Sequence, residues 1–323
     1  MQSYSKEREL WIDILRGLGI LFVILGHCSP PFNKLIYGFH MPLFFLLSGY
    51  LYHGPHKIQY HLRRYIIPYF VMCGINLLIV IAITVGRHSD TSNIKKYIAG
   101  ILYSRGTTEW LPNCSPLWFL TCIFLTLVIM DFIYRLKNNC LIVAVCLLCG
   151  TLSGIMSYTE MPKMPWNLDT ALMAVFFMCL GLKIREGELI KKMPGWFVPI
   201  ALVAGIAAIY FNPIDHVDFD GNRYGNVVLM LVGAVMISSV LFFICKQIHW
   251  HGRMASVLSW FGQHTLFIMG FDYFAGSLAR SVLSKVGFQN WLSVFILKLV
   301  LLTAGCVAWN WAVWRSRKLL RIV

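Results

Sequence analysis

The chain has 323 residues, of which 58% are hydrophobic and only 13% are charged, and it includes 11 Trp, 14 Tyr and 22 Phe. This composition excludes an ordinary soluble domain, in which about a quarter of the residues carry charge, and indicates an integral membrane protein. The formal net charge is +14, so either nucleic acid or an anionic membrane surface would be a suitable partner. The distribution of the charge along the chain decides between them.

Apolar stretches of about 20 residues are long enough to cross a bilayer as helices. Ten such stretches lie near residues 10–28, 35–52, 65–86, 116–134, 140–158, 168–184, 195–211, 225–246, 256–279 and 289–314. Turn-forming residues such as Ser29-Pro30-Pro31 and Asp220-Gly221-Asn222 separate them. The sequence therefore predicts an all-α, polytopic membrane protein with about ten transmembrane helices, folded as a single domain over residues 1–323.

The first apolar stretch carries three ionisable side chains. Arg16 and His27 are eleven residues apart, so on a helix they share one face and lie about 16 Å apart along the axis. Asp13 lies one turn before Arg16, where it can neutralise the guanidinium. Ionisable groups at membrane depth are costly and usually functional, so we expect a functional stripe. The structural alternative is an interfacial Asp–Arg pair with a histidine at the helix end.

The second apolar stretch is predicted to pack closely against a neighbouring helix. Pro42 fits near the helix start, where no helical hydrogen bond is lost, and Ser48-Gly49 offers a small patch for close helix approach. His40 is expected near the same end of the bundle as His27, so the two can meet across the short loop. For His40 alone, a structural role at the interface is favoured over substrate binding, because no acid accompanies it in the sequence.

The segment at residues 53–69 is rich in histidine and basic residues. Lys57, Arg63 and Arg64 suit phosphate groups, since Arg presents paired donors and Lys a mobile point charge. Simple anchoring at the cytoplasmic membrane surface is the alternative. No carboxylate or fourth ligand accompanies the three histidines of this segment, so no metal site is expected.

Basic residues are unequally divided between alternate loops. With the amino terminus in the cytoplasm, 17 Lys and Arg fall on the cytoplasmic side and 9 on the outer side, while Arg16 and Lys298 lie within spans. The positive-inside rule then places both termini in the cytoplasm, in what we expect to be a bacterial cytoplasmic membrane. The charge is explained by the bilayer, and no nucleic-acid partner is expected. The long outer loop at 87–115 is predicted to hold a short interfacial helix near 94–99.

The ten cysteines lie mostly within apolar stretches and show no metal-binding or disulfide spacing. Cys28 and Cys114 both fall near the predicted outer edge, where a bridge between them is conceivable. Small buried packing residues are the favoured interpretation of both thiols.

These motifs together resemble the acyltransferase 3 family of integral membrane acyltransferases, especially its branch of fucose 4-O-acetylase-like proteins. The matching motifs are Asp13-Ile14-Leu15-Arg16-Gly17, Gly26-His27, Phe39-His40-Met41-Pro42-Leu43-Phe44, Ser48-Gly49-Tyr50-Leu51 and the stretch from Arg63-Arg64 to Pro68-Tyr69. Weaker matches are Pro116-Leu117-Trp118-Phe119-Leu120, Leu168-Asp169-Thr170-Ala171-Leu172 and Phe261-Gly262-Gln263-His264-Thr265-Leu266. The resemblance implies a ten-helix fold, a cytosolic acyl-CoA donor, and transfer of a short acyl group, usually acetyl, to a hydroxyl of a carbohydrate or other small acceptor.

One position departs from the family pattern. Family members often carry a histidine about nine residues after the glycine of the ninth-span motif, and here that place holds Phe271. Asp272 can substitute as a polar group, with capping or a tyrosine hydrogen bond as equal alternatives. Trp118 and Asp169 are further candidate substrate-binding residues, and for Asp169 a helix-capping role is the structural alternative.

The residue chemistry fits the implied reaction. We expect His27 to be the general base, because histidine ordinarily titrates near neutral pH. Arg16, steadied by Asp13, is expected to orient the donor or to stabilise developing negative charge, and the donor arm to run past Gly17 and Ile20. A covalent acetyl-histidine is a less favoured variant, and no metal is required. The phosphates of acetyl-CoA are assigned to Arg63, Arg64 and Lys57.

Two other function classes stay open. A transporter or flippase for an anionic or lipid-linked sugar would also use intramembrane Arg and His with basic edges. Dependence of activity on acetyl-CoA would separate it from an enzyme that acts on a carbohydrate or lipid-linked glycan. A non-catalytic membrane sensor or scaffold is the third class, and it would tolerate apolar residues in place of Arg16 and His27.

Overall fold

The computed structural model describes residues 9–86, 88, 92–104, 106–107, 109–111 and 113–319. Within these ranges the chain forms helices and no strand, and an isolated bridge pairs Asp218 with Arg223 in a loop. The predicted all-α class is therefore confirmed. Lys6, Arg8 and Arg321, which entered the topology prediction, lie outside the described residues.

The helices follow the predicted order along the chain. The first seven are α1 (Leu10–Gly26), α2 (Asn33–Tyr50), α3 (Ile58–His61), α4 (Ile67–Gly86), α5 (Ile94–Tyr103), α6 (Trp118–Tyr134) and α7 (Asn139–Tyr158). A π-helical turn at Leu62–Ile66 joins α3 to α4. The other seven are α8 (Leu168–Glu186), α9 (Leu189–Lys192), α10 (Phe197–Phe211), α11 (Val227–Gln247), α12 (Gly252–Gln263), α13 (Thr265–Lys285) and α14 (Trp291–Leu319). The short helix predicted in the long outer loop is α5.

Seven helices of the described chain are long and apolar enough to cross a membrane. They are Ile58–Gly86, Ser115–Tyr134, Asn139–Tyr158, Pro165–Glu186, Val227–Gln247, Thr265–Lys285 and Trp291–Val313. Large apolar side chains such as Leu78, Val203 and Val228 project from the bundle with 67–68% of their surface exposed, as a lipid-facing surface requires. The polytopic membrane fold is thereby supported. A count of ten spans stays a prediction, because it also needs α1, α2 and α10.

The ninth predicted helix, 256–279, is divided into two. α12 ends at Gln263 and α13 begins at Thr265, with His264 between them. The ring of His264 stacks on Trp260 at 4.3 Å between centroids, and its Nδ1 donates to the Trp260 carbonyl at 2.7 Å. The break lets α12 pack along α1 while α13 packs against α14. An apolar pattern cannot show such a break, since apolar residues occur on both sides of His264.

Close helix contacts surround α1 and α2. A Cβ atom on Gly49 would lie 1.9 Å from the Met178 carbonyl oxygen of α8, and one on Gly17 would lie 1.9 Å from the Leu258 carbonyl oxygen of α12. The close approach predicted at Ser48-Gly49 is confirmed. Pro42, expected in the first turn of its helix, instead lies buried inside α2, where its missing amide leaves one helical carbonyl without its usual partner.

Eight of the ten cysteines are buried. All ten are unbridged, and Cys28 and Cys114 are both buried in separate core clusters. The bridge considered between them is absent, and the packing interpretation is confirmed.

Candidate active site

His27 is the C-cap residue of α1, and its ring lies against two helices from the carboxyl-terminal part of the chain. His27 Nδ1 is 2.7 Å from Asp272 Oδ2 on α13. Lys298 Nζ on α14 lies 2.8 Å from each oxygen of the same carboxylate. The side chains of Asp272 and Lys298 are 0% and 1% exposed, whereas that of His27 is 15% exposed. Side chains from three helices thus form one chain of polar contacts, with the histidine at its accessible end.

The hydrogen bond defines which nitrogen of His27 carries a proton. A carboxylate only accepts hydrogen bonds, so Nδ1 of His27 must donate to Asp272, and in the neutral ring Nε2 then has a free lone pair. Asp272 therefore holds the ring in one orientation and can stabilise an imidazolium, as the aspartate of a Ser-His-Asp triad does. Lys298 balances the carboxylate, since a buried charge without a partner is strongly destabilising.

Asp272 occupies a different place from the one expected of a substrate-binding residue. It lies behind the His27 ring, fully buried, and contacts the histidine and Lys298. Phe271, at the place of the family histidine, packs against Phe267 with 4.7 Å between ring centroids. The polar residue that stands next to the missing histidine therefore supports His27.

His27 opens onto a cavity of about 320 Å³, here called the His27 cavity. Its wall comes from α1, α2, α6 and α13 and from the loops before α6 and before α11. Aromatic rings and polar side chains share this wall. They include Tyr37, His40, Ser115, Trp118, His216, Asp218, Asp220 and Tyr273.

Two of the predicted substrate-binding residues, His40 and Trp118, line the His27 cavity. His40 Nδ1 donates to the Ile36 carbonyl at 2.9 Å, which leaves Nε2 as an acceptor in the neutral ring. The ring of Tyr37 lies 4.9 Å from that of His40 and 5.0 Å from that of His216, between centroids. The predicted proximity of His40 to His27 is therefore found, since both side chains border one cavity.

Asp169, the remaining candidate, lies outside this wall. It sits in the first turn of α8, is 2% exposed, and follows the N-cap residue Asn167 by two positions. Asn167 Nδ2 donates to the Ser104 carbonyl at 3.0 Å. Asp169 therefore lies in the first turn of α8, and the helix-capping alternative is wrong, because Asn167 holds the N-cap position.

Asp220 was predicted only as part of a turn, yet it borders the His27 cavity. Burial raises the pKa of Asp220 to about 7, and the neighbouring Asp218 adds to the effect. A Cβ atom on Gly106 would lie 2.4 Å from both oxygens of this carboxylate, so a larger residue there would displace it. Asp218 is held by the Gly221 amide at 2.9 Å and by Arg223 at 3.1 Å.

The opposite end of the stripe opens onto a second cavity, of about 700 Å³, here called the Arg16 cavity. Arg16 Nη1 is 3.7 Å from Asp13 Oδ1, so the predicted pair is present. Gln263 of α12 donates to Asp13 Oδ2 at 3.1 Å. Besides Arg16, the polar side chains of the wall are Ser48, Tyr52, His53, His56, Tyr60, His61, Arg64, Tyr65, Gln263 and Thr265.

The three predicted phosphate-binding residues are not equivalent. Arg64 lines the Arg16 cavity, with its guanidinium 5.7 Å from the ring centres of both Tyr60 and Tyr65. All three side chains are exposed, but Lys57 and Arg63 lie outside that wall. Neighbouring residues on a helix point about 100° apart, so two consecutive arginines cannot face one cavity in the same way.

A second histidine–aspartate pair supports the Arg16 cavity and was not anticipated. His61 Nε2 donates to Asp131 Oδ2 at 2.7 Å, and Tyr52 donates to Oδ1 at 2.6 Å. The backbone amide of His56 donates to Oδ2 at 3.1 Å. Asp131 therefore ties the segment after α2 to α6. In the sequence it is an isolated acid near the end of an apolar stretch, which gives little sign of this role.

Among the described residues, no cluster of three or more His, Cys, Asp or Glu has a geometry suited to a metal.

The expected route past Gly17 and Ile20 is not available. Ile20 is 0% exposed within a core cluster, and Gly17 faces the backbone of α12. The two cavities instead meet at Phe44, Phe119 and Met269, which line both of them. The helix face that carries Arg16 and His27 is thus packed between its two ends, and the open space bypasses it.

Comparison with known proteins gives one match over nearly the whole chain. A family model for an acyltransferase domain matches residues 9–315. Nodulation protein NolL of Sinorhizobium fredii is 36% identical over 63 residues, and nodulation protein NolL of Mesorhizobium japonicum is 38% identical over 63 residues. Each match covers 16% of this chain and 17% of the relative, so the chain spans about a sixth of these relatives. No solved structure matches the chain.

Proposed function

The chain belongs to the acyltransferase family whose domain its residues 9–315 match, and from this premise we propose that it is an O-acyltransferase that uses cytosolic acyl-CoA. It transfers an acetyl or other short acyl group to a hydroxyl of a carbohydrate or lipid-linked glycan. The observation that carries this proposal is the bond between His27 and the buried Asp272, backed by Lys298, at the wall of a cavity.

In the proposed reaction His27 is the general base. Its Nε2 takes the proton of the acceptor hydroxyl while the hydroxyl oxygen attacks the thioester carbonyl carbon. The new C–O bond forms, the C–S bond breaks, and the proton passes from the imidazolium to the leaving sulfur, which gives the ester and free CoA. Asp272 stabilises the imidazolium between these two proton transfers. A positioned base of this kind contributes about 10²–10⁴-fold to the rate.

Arg16 has a different role from the base in this scheme. It lies about 16 Å from His27 along α1, too far to contact a thioester that reaches His27. We assign Arg16 and Arg64 to the donor within the Arg16 cavity, where guanidinium groups can pair with phosphate oxygens. Lys57 and Arg63, exposed on the same segment, can meet phosphates that remain in the cytosol.

The His27 cavity is assigned to the acceptor. Aromatic rings and hydrogen-bonding side chains in one wall suit a sugar, which presents apolar ring faces and hydroxyl groups. Tyr37, Trp118 and Tyr273 provide rings there, and Asp218 and Asp220 provide acceptors for hydroxyl groups. His40 can accept a further hydroxyl through Nε2.

The sidedness of the reaction follows from the positive-inside orientation. The donor would enter from the cytoplasm at the Arg16 cavity, and the acceptor would be modified at the outer end. Single cysteines at positions 57 and 163 test this orientation. We expect position 57 to react with an impermeant thiol reagent from the cytoplasm and position 163 from outside. Labelling of position 57 from outside would show that the orientation is opposite to the one proposed and would contradict a cytosolic donor.

The activity is tested with membranes that contain the protein and acetyl-CoA labelled in the acetyl group. We expect label in a glycan or glycolipid product, and we expect about 10²–10⁴-fold slower labelling in a matched preparation of His27→Ala. Failure of the wild-type protein to transfer label to any hydroxyl acceptor would contradict the proposal.

A transporter or flippase for an anionic or lipid-linked sugar is the second candidate. It is favoured by the two cavities at opposite ends of the bundle, with Phe44, Phe119 and Met269 between them. Movement of a labelled glycolipid across reconstituted vesicles without acetyl-CoA would support it over the acyltransferase.

A further inference from the structure

We infer that Phe44, Phe119 and Met269 form a barrier between the two cavities that the acyl end of the donor must displace, and that the barrier selects which acyl groups reach His27. The inference rests on the proposed function, because it requires a donor in the Arg16 cavity and an acceptor in the His27 cavity. The three side chains come from α2, α6 and α13. They are called the barrier below.

The position of the barrier follows from the cavity walls. All three side chains line both cavities, and each is partly exposed. The rings of Phe44 and Phe119 are in contact, with centroids 5.9 Å apart and planes inclined by 57°. A donor held by Arg16 and Arg64 therefore meets these rings before its thioester can approach His27.

The aromatic members of the barrier are supported from behind. Phe119 packs on Phe45, which is fully buried, with 5.4 Å between ring centroids. Phe44 lies against the bare backbone of α1 at Gly19, where an added Cβ atom would be 2.8 Å from the tip of its ring. Met269 is the adaptable member, since its unbranched thioether side chain changes shape easily. The barrier is thus positioned by α1 and α2 and can open by side-chain movement.

The barrier discriminates by the width of the acyl group. The acyl group is the tip of the pantetheine arm and must pass first. An acetyl or another straight-chain acyl group is no wider than the pantetheine arm. An opening between the barrier side chains that admits the arm therefore also admits such an acyl group. A branched or aromatic acyl group is wider and would force the two rings further apart. Acyl length is limited separately, by the cavity of about 320 Å³ that the acyl group shares with the acceptor.

The test compares kcat/KM for acetyl-, isobutyryl- and benzoyl-CoA in the full-length protein. We expect the wild-type protein to prefer acetyl-CoA strongly. Phe119→Ala and Met269→Ala should raise the ratio of isobutyryl to acetyl transfer by about tenfold, the size of effect that a few methylene groups have in a substrate pocket. Gly19→Ala should push the Phe44 ring into the passage and lower the same ratio.

Phe124→Ala is the matched control. Phe124 is a buried phenylalanine on α6, the helix that carries Phe119, and its side chain lines neither cavity. This variant should leave the ratio unchanged. Where Phe119→Ala does not fold, Phe119→Leu replaces it, with the same direction of change. If folded Phe119 and Met269 variants still transfer acetyl with the wild-type ratio of isobutyryl to acetyl transfer, the inference that the barrier selects acyl groups is wrong. The proposed function would be unaffected by that result. Absence of acyl transfer by the wild-type protein from every acyl-CoA would overturn both.

Discussion

The two ends of the bundle each hold a histidine paired with an aspartate at 2.7 Å, yet the two pairs have different surroundings. His27 is 15% exposed to its cavity, and its aspartate is balanced by a lysine. His61 is 1% exposed, and its aspartate also accepts hydrogen bonds from Tyr52 and from the backbone amide of His56. The first arrangement leaves a histidine able to exchange a proton with a ligand, and the second uses a histidine to hold a segment in place.

The largest difference between the pairs is expected in turnover. His27→Ala should lower kcat by about 10²–10⁴-fold without preventing folding, because it removes the base and leaves Asp272 with Lys298. His61→Ala should lower the melting temperature, because it removes one of the donors to a buried carboxylate. Its effect on kcat should be smaller than that of His27→Ala. Initial rates and thermal unfolding in detergent measure both. Near-normal turnover of the His27→Ala protein would contradict a catalytic role for His27 and the distinction between the two histidines.

The role of Asp272 in catalysis can be separated from the role of Lys298 in stability. Asp272→Asn should lower kcat by about 10²-fold or more, since an amide can bind the other tautomer of His27. Lys298→Met should destabilise the protein by about 3–5 kcal/mol, because it leaves a buried carboxylate without its cation. The double variant should recover much of that stability and none of the activity. Equal stability of Lys298→Met and wild type in thermal unfolding would show that the ion pair is unimportant.

At the Arg16 end, the two consecutive arginines should differ. Arg64→Gln is expected to raise the KM for acetyl-CoA by about tenfold, the loss of one charge-assisted contact, while kcat at saturating donor changes less. Arg63→Gln is the matched control and should change this KM by a smaller factor, because Arg63 lies outside the cavity wall. Steady-state kinetics with varied donor measure both values. A larger effect at Arg63 would place the phosphates on the outer surface of the segment.

The smallest effect concerns Asp220 at the His27 end. An unfolded aspartate titrates near pH 3.9, whereas burial raises the pKa of Asp220 to about 7. Between these values the folded protein binds a proton that the unfolded chain does not, so this group makes stability fall as the pH rises, and the loss is complete above pH 7. Asp220→Asn should therefore increase the melting temperature relative to wild type more at pH 8 than at pH 4. An equal difference at both pH values would indicate that Asp220 titrates normally.

Features that depend on neighbouring residues could be predicted from the sequence. The helices follow from runs of apolar residues, and the pair of Asp13 with Arg16 follows from one helical turn. The close contact at Gly49 follows from small residues on a helix face. His27 could be selected because an ionisable group in an apolar stretch is exceptional wherever the helix packs.

The tertiary structure alone decided which distant groups meet. His27 and Asp272 are 245 positions apart, and Asp272 and Lys298 are 26 apart on different helices. No local pattern relates them, because their contact depends on how α1, α13 and α14 pack. The rotation of the segment before α4 likewise decided that Arg64 and not Arg63 faces a cavity. The packing of α12 along α1 closed the expected route past Gly17 and left Phe44, Phe119 and Met269 between the two cavities.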